Sequence, residues 1–377
     1  MISTVVQNCL TVQNEISPPA EIDGALVIDN TFDAYLLDID THSVQPFQID
    51  ETYDQNTFSH YSRIDVSPDG QKLVYTAVYI AQDGQVNERM MLMTANGQYY
   101  DLMFWSIEQG YFLGWFDNDR ILLSWNDRPY GTITLLNVNT GQSEEISPTF
   151  ADLYPEPVYD PVYDRTIYLI NPVTWFPVLY DRTLSRAFLY LSDSNGMRYV
   201  LWNTETREIL WERRVYSPRV EPQWSPDGEQ LIVTMRPDPL NSIQEEFYTI
   251  SRDGEEIQLT DLLAIYSSFF IGTYSWSPDG EFLAFWLGSG LIQPQPRLAV
   301  LNMRRGMITD YCLGPGGIKP IWSPDGKQVV ISIRGNREPG VQSSVVIVDI
   351  EQNTAYKVTD ILSIAGWMST NDGADNP

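Results

Sequence analysis

Histidine, cysteine and lysine are scarce in this chain. Its 377 residues hold two histidines, His42 and His60, two cysteines, Cys9 and Cys312, and four lysines. A zinc site needs three or four His, Cys or carboxylate ligands at workable spacing, and two scattered histidines do not supply it. A serine hydrolase needs a nucleophile on a sharp elbow, with a histidine and an acid in reach. No Gly-x-Ser-x-Gly occurs, no phosphate-cradling Gly-x-x-x-x-Gly-Lys occurs, and no α/β hydrolase domain follows the last repeat. No apolar run reaches 18 residues, so no membrane-spanning helix is expected. The segment Met1–Asn8 lacks a basic start and an apolar stretch, so no signal peptide is expected either.

Positive charge is also scarce. Lys and Arg total 23 against 50 Asp and Glu, for a net charge of −27. Phosphate binding needs a basic face, which argues against nucleic acid as a partner. An anionic membrane surface is disfavoured on the same ground. The balance suits a self-repelling, soluble protein.

What the chain has is a repeat. Ser-Pro-Asp-Gly occurs at Ser67–Gly70, Ser225–Gly228, Ser277–Gly280 and Ser323–Gly326. Tryptophan precedes three copies, as Trp224, Trp276 and Trp322. Pro presets the second position of a type I turn, Asp suits the third, and Gly takes the left-handed position after it. Such a turn joins two neighbouring antiparallel strands. Apolar, β-branched runs follow each copy, for example Leu231-Ile232-Val233 and Val329-Val330-Ile331. A second hairpin follows each of the last three, giving four strands per repeat, the size of a propeller blade.

Spacing counts the blades. Ser225 to Ser277 is 52 residues, Ser277 to Ser323 is 46, and Ser67 to Ser225 is 158, about three periods. One degenerate copy is Gly114–Arg120, followed by Ile121–Trp125. The other has two versions: Tyr159-Asp160-Pro161 before Arg165–Leu169, and Tyr180-Asp181-Arg182 before Arg186–Leu191. One blade with an insertion over 151–180 is the expectation, with six or eight blades as alternatives. Trp367 supplies one C-terminal strand, and the runs within 25–49 supply three more. Together they close the ring and remove exposed edges. The expected fold is all-β, a seven-bladed propeller over 24–369, with an N-terminal arm at 1–23 and a tail at 370–377.

The Trp-Ser-Pro-Asp-Gly repeats resemble the TolB-type, WD40-like β-propeller family over nearly the whole chain. That resemblance implies the fold and names no single chemistry, since the repeat serves export-system, peptidase-associated and binding proteins alike. The family usually carries six blades and a separate N-terminal domain, whereas seven blades are counted here. It also points to the cell envelope or outside, which is slightly favoured over the cytoplasm.

Cys9 and Cys312 are either two unpaired thiols or a disulfide pinning the arm to a blade edge. The acid pairs Asp38/Asp40, Asp117/Asp119 and Asp372/Asp375 do not fit a calcium loop, and turn chemistry accounts for Asp117 and Asp119. No cofactor is expected, with a structural calcium as the alternative.

The tight turns share one face, so the longer loops between second and third strands share the other. Binding residues favour variable loops on a rigid scaffold. Six of those seven loops carry arginine: Arg89, Arg128, Arg198, Arg236, Arg297, and Arg334 with Arg337. They form either a rim that receives carboxylates or a set of local ion pairs with nearby acids. Trp105 and Trp175 fall outside the repeat positions and could stack on a partner. The main expectation is a non-catalytic scaffold that binds a protein or peptide on this face. The alternative is a propeller enzyme acting on glycans, a lyase or hydrolase, with acids in the central funnel. Carboxylates converging there with a tyrosine would favour the enzyme.

Overall fold

The computed structural model describes residues 4–13, 24–29, 34–49, 51–53, 55–106, 110–125, 132–146, 158–160, 165–167, 179–193, 196–215, 220–237, 244–289, 295–334, 343–360 and 363–369. They form seven antiparallel blades arranged as a closed propeller. Blade 1 joins the chain ends: Ile364–Met368 pairs with Ala25–Asp29, followed outward by Ala34–Asp38 and Val44–Pro46. Leu26 stands opposite Trp367 in that ladder. The innermost strands of blades 2 to 7 are Asn56–Val66, Gly110–Trp115, Leu179–Tyr180, Gln223–Trp224, Phe269–Trp276 and Ile321–Trp322.

The turn signal does what its chemistry predicts. In all four Ser-Pro-Asp-Gly copies the Ser Oγ donates to the Asp Oδ1, at 2.5 to 2.7 Å. That carboxylate accepts the N–H two residues on, and the Ser Oγ accepts the N–H that opens the next strand. Gly228 adopts φ +76°, a region costly for any residue with a Cβ. Replacing Asp325 with alanine removes two of these bonds, and a loss of about 1–2 kcal/mol in urea unfolding is expected. An unchanged midpoint would contradict this account of the turn.

A second bond recurs in every blade. The turn between strands three and four donates an N–H to the carbonyl that opens strand two: Ile39 to Gly24, Ala95 to Gln71, Val138 to Asp119, Thr204 to Ser185, Arg252 to Glu229, Met303 to Glu281 and Ile350 to Lys327. Both turn sets therefore share one face.

Burial is divided among the blade interfaces, because each sheet has apolar side chains on both faces. One apolar cluster fills each of the seven interfaces. Trp367, Leu26 and Ile28 pack on Val330 and Ile347 of blade 7, while Val27 and Met368 pack on Leu73 and Tyr75 of blade 2. The repeat tryptophans cross these interfaces. Indole N–H groups of Trp115, Trp224 and Trp322 donate to the carbonyls of Asp65, Leu179 and Ser275 on the preceding blade.

The ambiguous fourth blade resolves. Leu179–Tyr180 and Arg186–Asp193 begin it, with Asp181 accepting the Arg186 N–H at 2.9 Å as the turn acid. Val158–Asp160 and Arg165–Ile167 form a separate two-stranded hairpin.

The N-terminal arm adds strands to two blades. Thr4–Gln7 pairs in parallel with Met307–Asp310 at the outer edge of blade 6, and Val12–Gln13 with Thr354–Thr359 at the outer edge of blade 7. Cys9 and Cys312 are joined in a disulfide, with Cα atoms 4.8 Å apart. Cys312 does not lie on the fourth strand of its blade. It follows Met307–Asp310 instead, and the arm is the outermost strand there.

Candidate functional site

The innermost strands line the axis, and on four blades the residue four places before the turn serine is polar: Arg63, Glu221, Thr273 and Lys319. Two residues on stand Asp65, Gln223 and Ser275. Arg63, Glu221 and Lys319 are open to water, and Asp65 partly so. Burial raises the Asp65 carboxyl, opposed by the Lys319 charge, the N–H groups of Trp115 and Val66, and the Arg63 charge. Glu221 reaches water yet is crowded by protein atoms, and that desolvation raises its carboxyl, opposed by Lys319 and Arg63, while Asp65 adds to the rise. Asp65 belongs to blade 2, Glu221 to the start of blade 5 and Lys319 to the start of blade 7. Blades 2 and 5 stand three places apart in a ring of seven, the greatest separation the ring has. Charges on blades so far apart are felt together only near the axis, and the shared repeat position of Arg63, Glu221 and Lys319 puts them at its side of their blades.

Further titratable groups are buried within the blades. Burial raises the Tyr274 hydroxyl, and Tyr199, Glu221 and Glu245 raise it further. Its hydroxyl donates to the Ile232 carbonyl at 3.2 Å. Glu245 is buried and accepts from Thr234 Oγ1 at 3.1 Å. Across the ring, buried Glu88 accepts from Ser62 Oγ at 3.0 Å. Burial raises the Glu88 carboxyl, against the Ser62 bond and the charges of Arg63 and His60. Ser62 falls at a register shift between Tyr61 and Arg63, a bulge of the kind that re-aims side chains. The charged groups toward the axis are thus two carboxyls held toward their protonated form, Asp65 and Glu221, and two cations, Arg63 and Lys319, while Tyr274 is buried in the core between blades 5 and 6.

Among the described residues, arginines of the long loops have these partners. Arg89 pairs with Asp101 at 3.0 Å and lies 3.9 Å over the Tyr53 ring. Arg198 pairs with Glu212 at 2.6 Å, and Arg297 with buried Asp310 at 2.7 Å. Arg236 is half-buried, and its carbonyl accepts from Arg213. Arg334 is exposed, with its N–H on the Pro315 carbonyl. Arg128, Arg337 and Trp175 lie outside the described residues, as does the side chain of Trp105, whose backbone is in Tyr99–Ser106. Of the acid pairs, Asp38 accepts from Thr41 N and Oγ1, and Asp117 accepts the N–H groups of Asp119 and Arg120. Asp372 and Asp375 lie outside the described residues. Among the described residues no group of three His, Cys, Asp or Glu is placed to hold a metal.

The molecule is a seven-bladed propeller with a charged axial channel. It is similar in structure to an oligogalacturonate lyase of Vibrio parahaemolyticus, at 12% identity and a TM-score of 0.53, over 89% of this chain and 86% of that one. An oligogalacturonate lyase in complex with manganese is similar at 12% identity and a TM-score of 0.50, over 79% and 76%. TolB from Acinetobacter baumannii is similar at 12% identity and a TM-score of 0.46, over 91% and 81%. No protein-family model matches the sequence. A comparison with curated proteins finds no sequence match. Identities this low show the shared fold. The expectation of a non-catalytic scaffold for a protein or peptide is corrected here, because the lyases are enzymes built on this propeller. The physical reason is that ring closure assembles side chains from remote blades, which a search for local catalytic motifs does not detect.

Proposed function

We propose that this chain is a glycan-cleaving enzyme, a lyase or hydrolase, working in its central channel. The observation that carries the reading is the shared repeat position of Arg63, Glu221 and Lys319 at the axial side of blades 2, 5 and 7, with Asp65 two residues after Arg63. Both reactions need a positioned acid and base, and a carboxyl raised by its surroundings suits either task near neutral pH. In hydrolysis one carboxyl protonates the glycosidic oxygen while the other acts on water or on the sugar. In elimination a base removes the proton beside a uronate carboxylate, and cations stabilise the charge that develops. Arg63 and Lys319 suit a substrate carrying a carboxylate. The Cys9–Cys312 bond supports a cell-envelope or extracellular location. Membership of the TolB-type repeat family fits the Trp-Ser-Pro-Asp-Gly turns, and 24–369 is read as one domain.

The test is incubation of the purified chain with uronate-bearing and neutral polysaccharides. New reducing ends are expected, and ultraviolet absorbance of a new double bond separates elimination from hydrolysis. Failure to cleave any of them, with the protein folded, would remove the reading.

A further inference from the structure

The arm is held almost entirely from outside the hydrophobic core. None of residues 4–13 is buried. Its ladder consists of Thr4 to Gln7 opposite Met307 to Asp310, and of Val12 and Gln13 opposite Ala355 and Tyr356. Three further bonds run from Asn8 N to the Asp310 carbonyl, from Leu10 N to the Tyr311 carbonyl and from Asn8 Nδ2 to Asn353 Oδ1, at 2.8, 3.2 and 2.7 Å. Val5, Leu10 and Val12 touch the blade cores at their margins. A short exposed ladder of this kind opens readily on its own. The covalent link adds to this ladder by holding the local concentration of the two short strands high beside their edges. That link is within reach of solvent: Cys9 is exposed and Cys312 half-buried.

We propose that the Cys9–Cys312 bond is a reducible latch whose opening releases the arm and uncovers the outer edges of blades 6 and 7. The co-reactant is a dithiol, small or protein-borne. One of its thiolates attacks a cystine sulfur to form a mixed disulfide, and its second thiol closes on the first. Two electrons and two protons pass to the protein, which is left with free thiols at Cys9 and Cys312, while the reductant becomes a disulfide. The freed edges of Met307–Asp310 and Thr354–Thr359 then present unpaired backbone groups, the kind of surface that accepts an added strand. The seven blades keep their own ladders and interface cores, so release of the arm leaves the ring closed.

Hydrogen exchange read by mass spectrometry tests this on the full chain, with and without dithiothreitol. In the reduced protein, exchange over residues 4–13 should rise by about tenfold or more, and exchange at the two uncovered edges should rise with it. Strands of blades 2 to 5 should stay protected. The Cys9→Ser, Cys312→Ser double variant should reproduce the reduced pattern with no reductant present. Arm protection that is unchanged by reduction and by the double substitution would overturn the proposal. Loss of protection through all seven blades at once would also overturn it, by making the bond a staple of the whole fold.

Discussion

Replacing Trp286 with alanine is expected to cost about 3–5 kcal/mol, among the largest losses any single truncation here would produce. Trp286 lies on the second strand of blade 6 at 1% exposure. It packs in the cluster between blades 6 and 7 with Leu298, Val300, Leu313 and Trp322. Its indole N–H donates to the Ile318 carbonyl at 2.6 Å. Two glycines lie bare against it. A Cβ added at Gly316 would fall 1.9 Å from the ring, and one at Gly272 would fall 2.9 Å from the Trp286 Cβ. Backbone therefore walls the ring on these sides, and backbone held in strands collapses poorly into a void. The lost indole would leave both a cavity and an orphaned carbonyl. Gly316→Ala should destabilise as well, because the ring would have to move. Urea unfolding checks both. A loss under about 1 kcal/mol for Trp286→Ala would mean that the interface repacks freely.

The ring could be read from the sequence because its turns are local. Ser, Pro, Asp and Gly at Ser225–Gly228 specify a bond network within six residues, so four copies and their spacing reveal blades. Trp367 at one period beyond Trp322 revealed the closing strand, and it does stand opposite Leu26. The fourth blade was ambiguous because Tyr159-Asp160 and Tyr180-Asp181 look alike in sequence. Only the second lies where the Trp224 indole can reach the Leu179 carbonyl.

The arm strands were not legible, since Val5 and Val12 sit among polar residues and pair only with edges that the finished ring creates. The channel was half legible. Arg63, Glu221 and Lys319 share one repeat position, four before the turn serine, Arg63 within the innermost strand of its blade and the other two just before theirs. Aligning the repeats column by column would have exposed that charged column. Its meaning needed the third dimension, because Asp65 and Glu221 are remote in sequence and belong to different blades of one ring.

Replacing Glu221 with glutamine is expected to lower turnover by about 10²–10⁴-fold, the usual worth of a positioned acid or base. Lys319→Met tests the same site by charge. Lys319 lowers the titration of both Asp65 and Glu221 against the effect of burial. Its removal therefore moves both carboxyls further up. If one of them works as the base, it must be ionised, so the acidic limb of the pH–rate profile should shift to higher pH. Stability follows the same sign. A carboxyl raised in the folded state holds its proton more tightly there than in the unfolded chain. Folding stability then falls as pH rises from the unfolded value, about 4, through the raised folded value. Lys319→Met should deepen that fall and extend it toward alkaline pH. Adding Glu221→Gln to it should reverse part of the loss, because one of the two uncompensated carboxylates is gone. Urea midpoints for the three proteins across the acid-to-alkaline range decide the matter. Parallel curves would mean that Lys319 does not face these acids, and the channel would then lack the charge pairing on which its proposed chemistry rests.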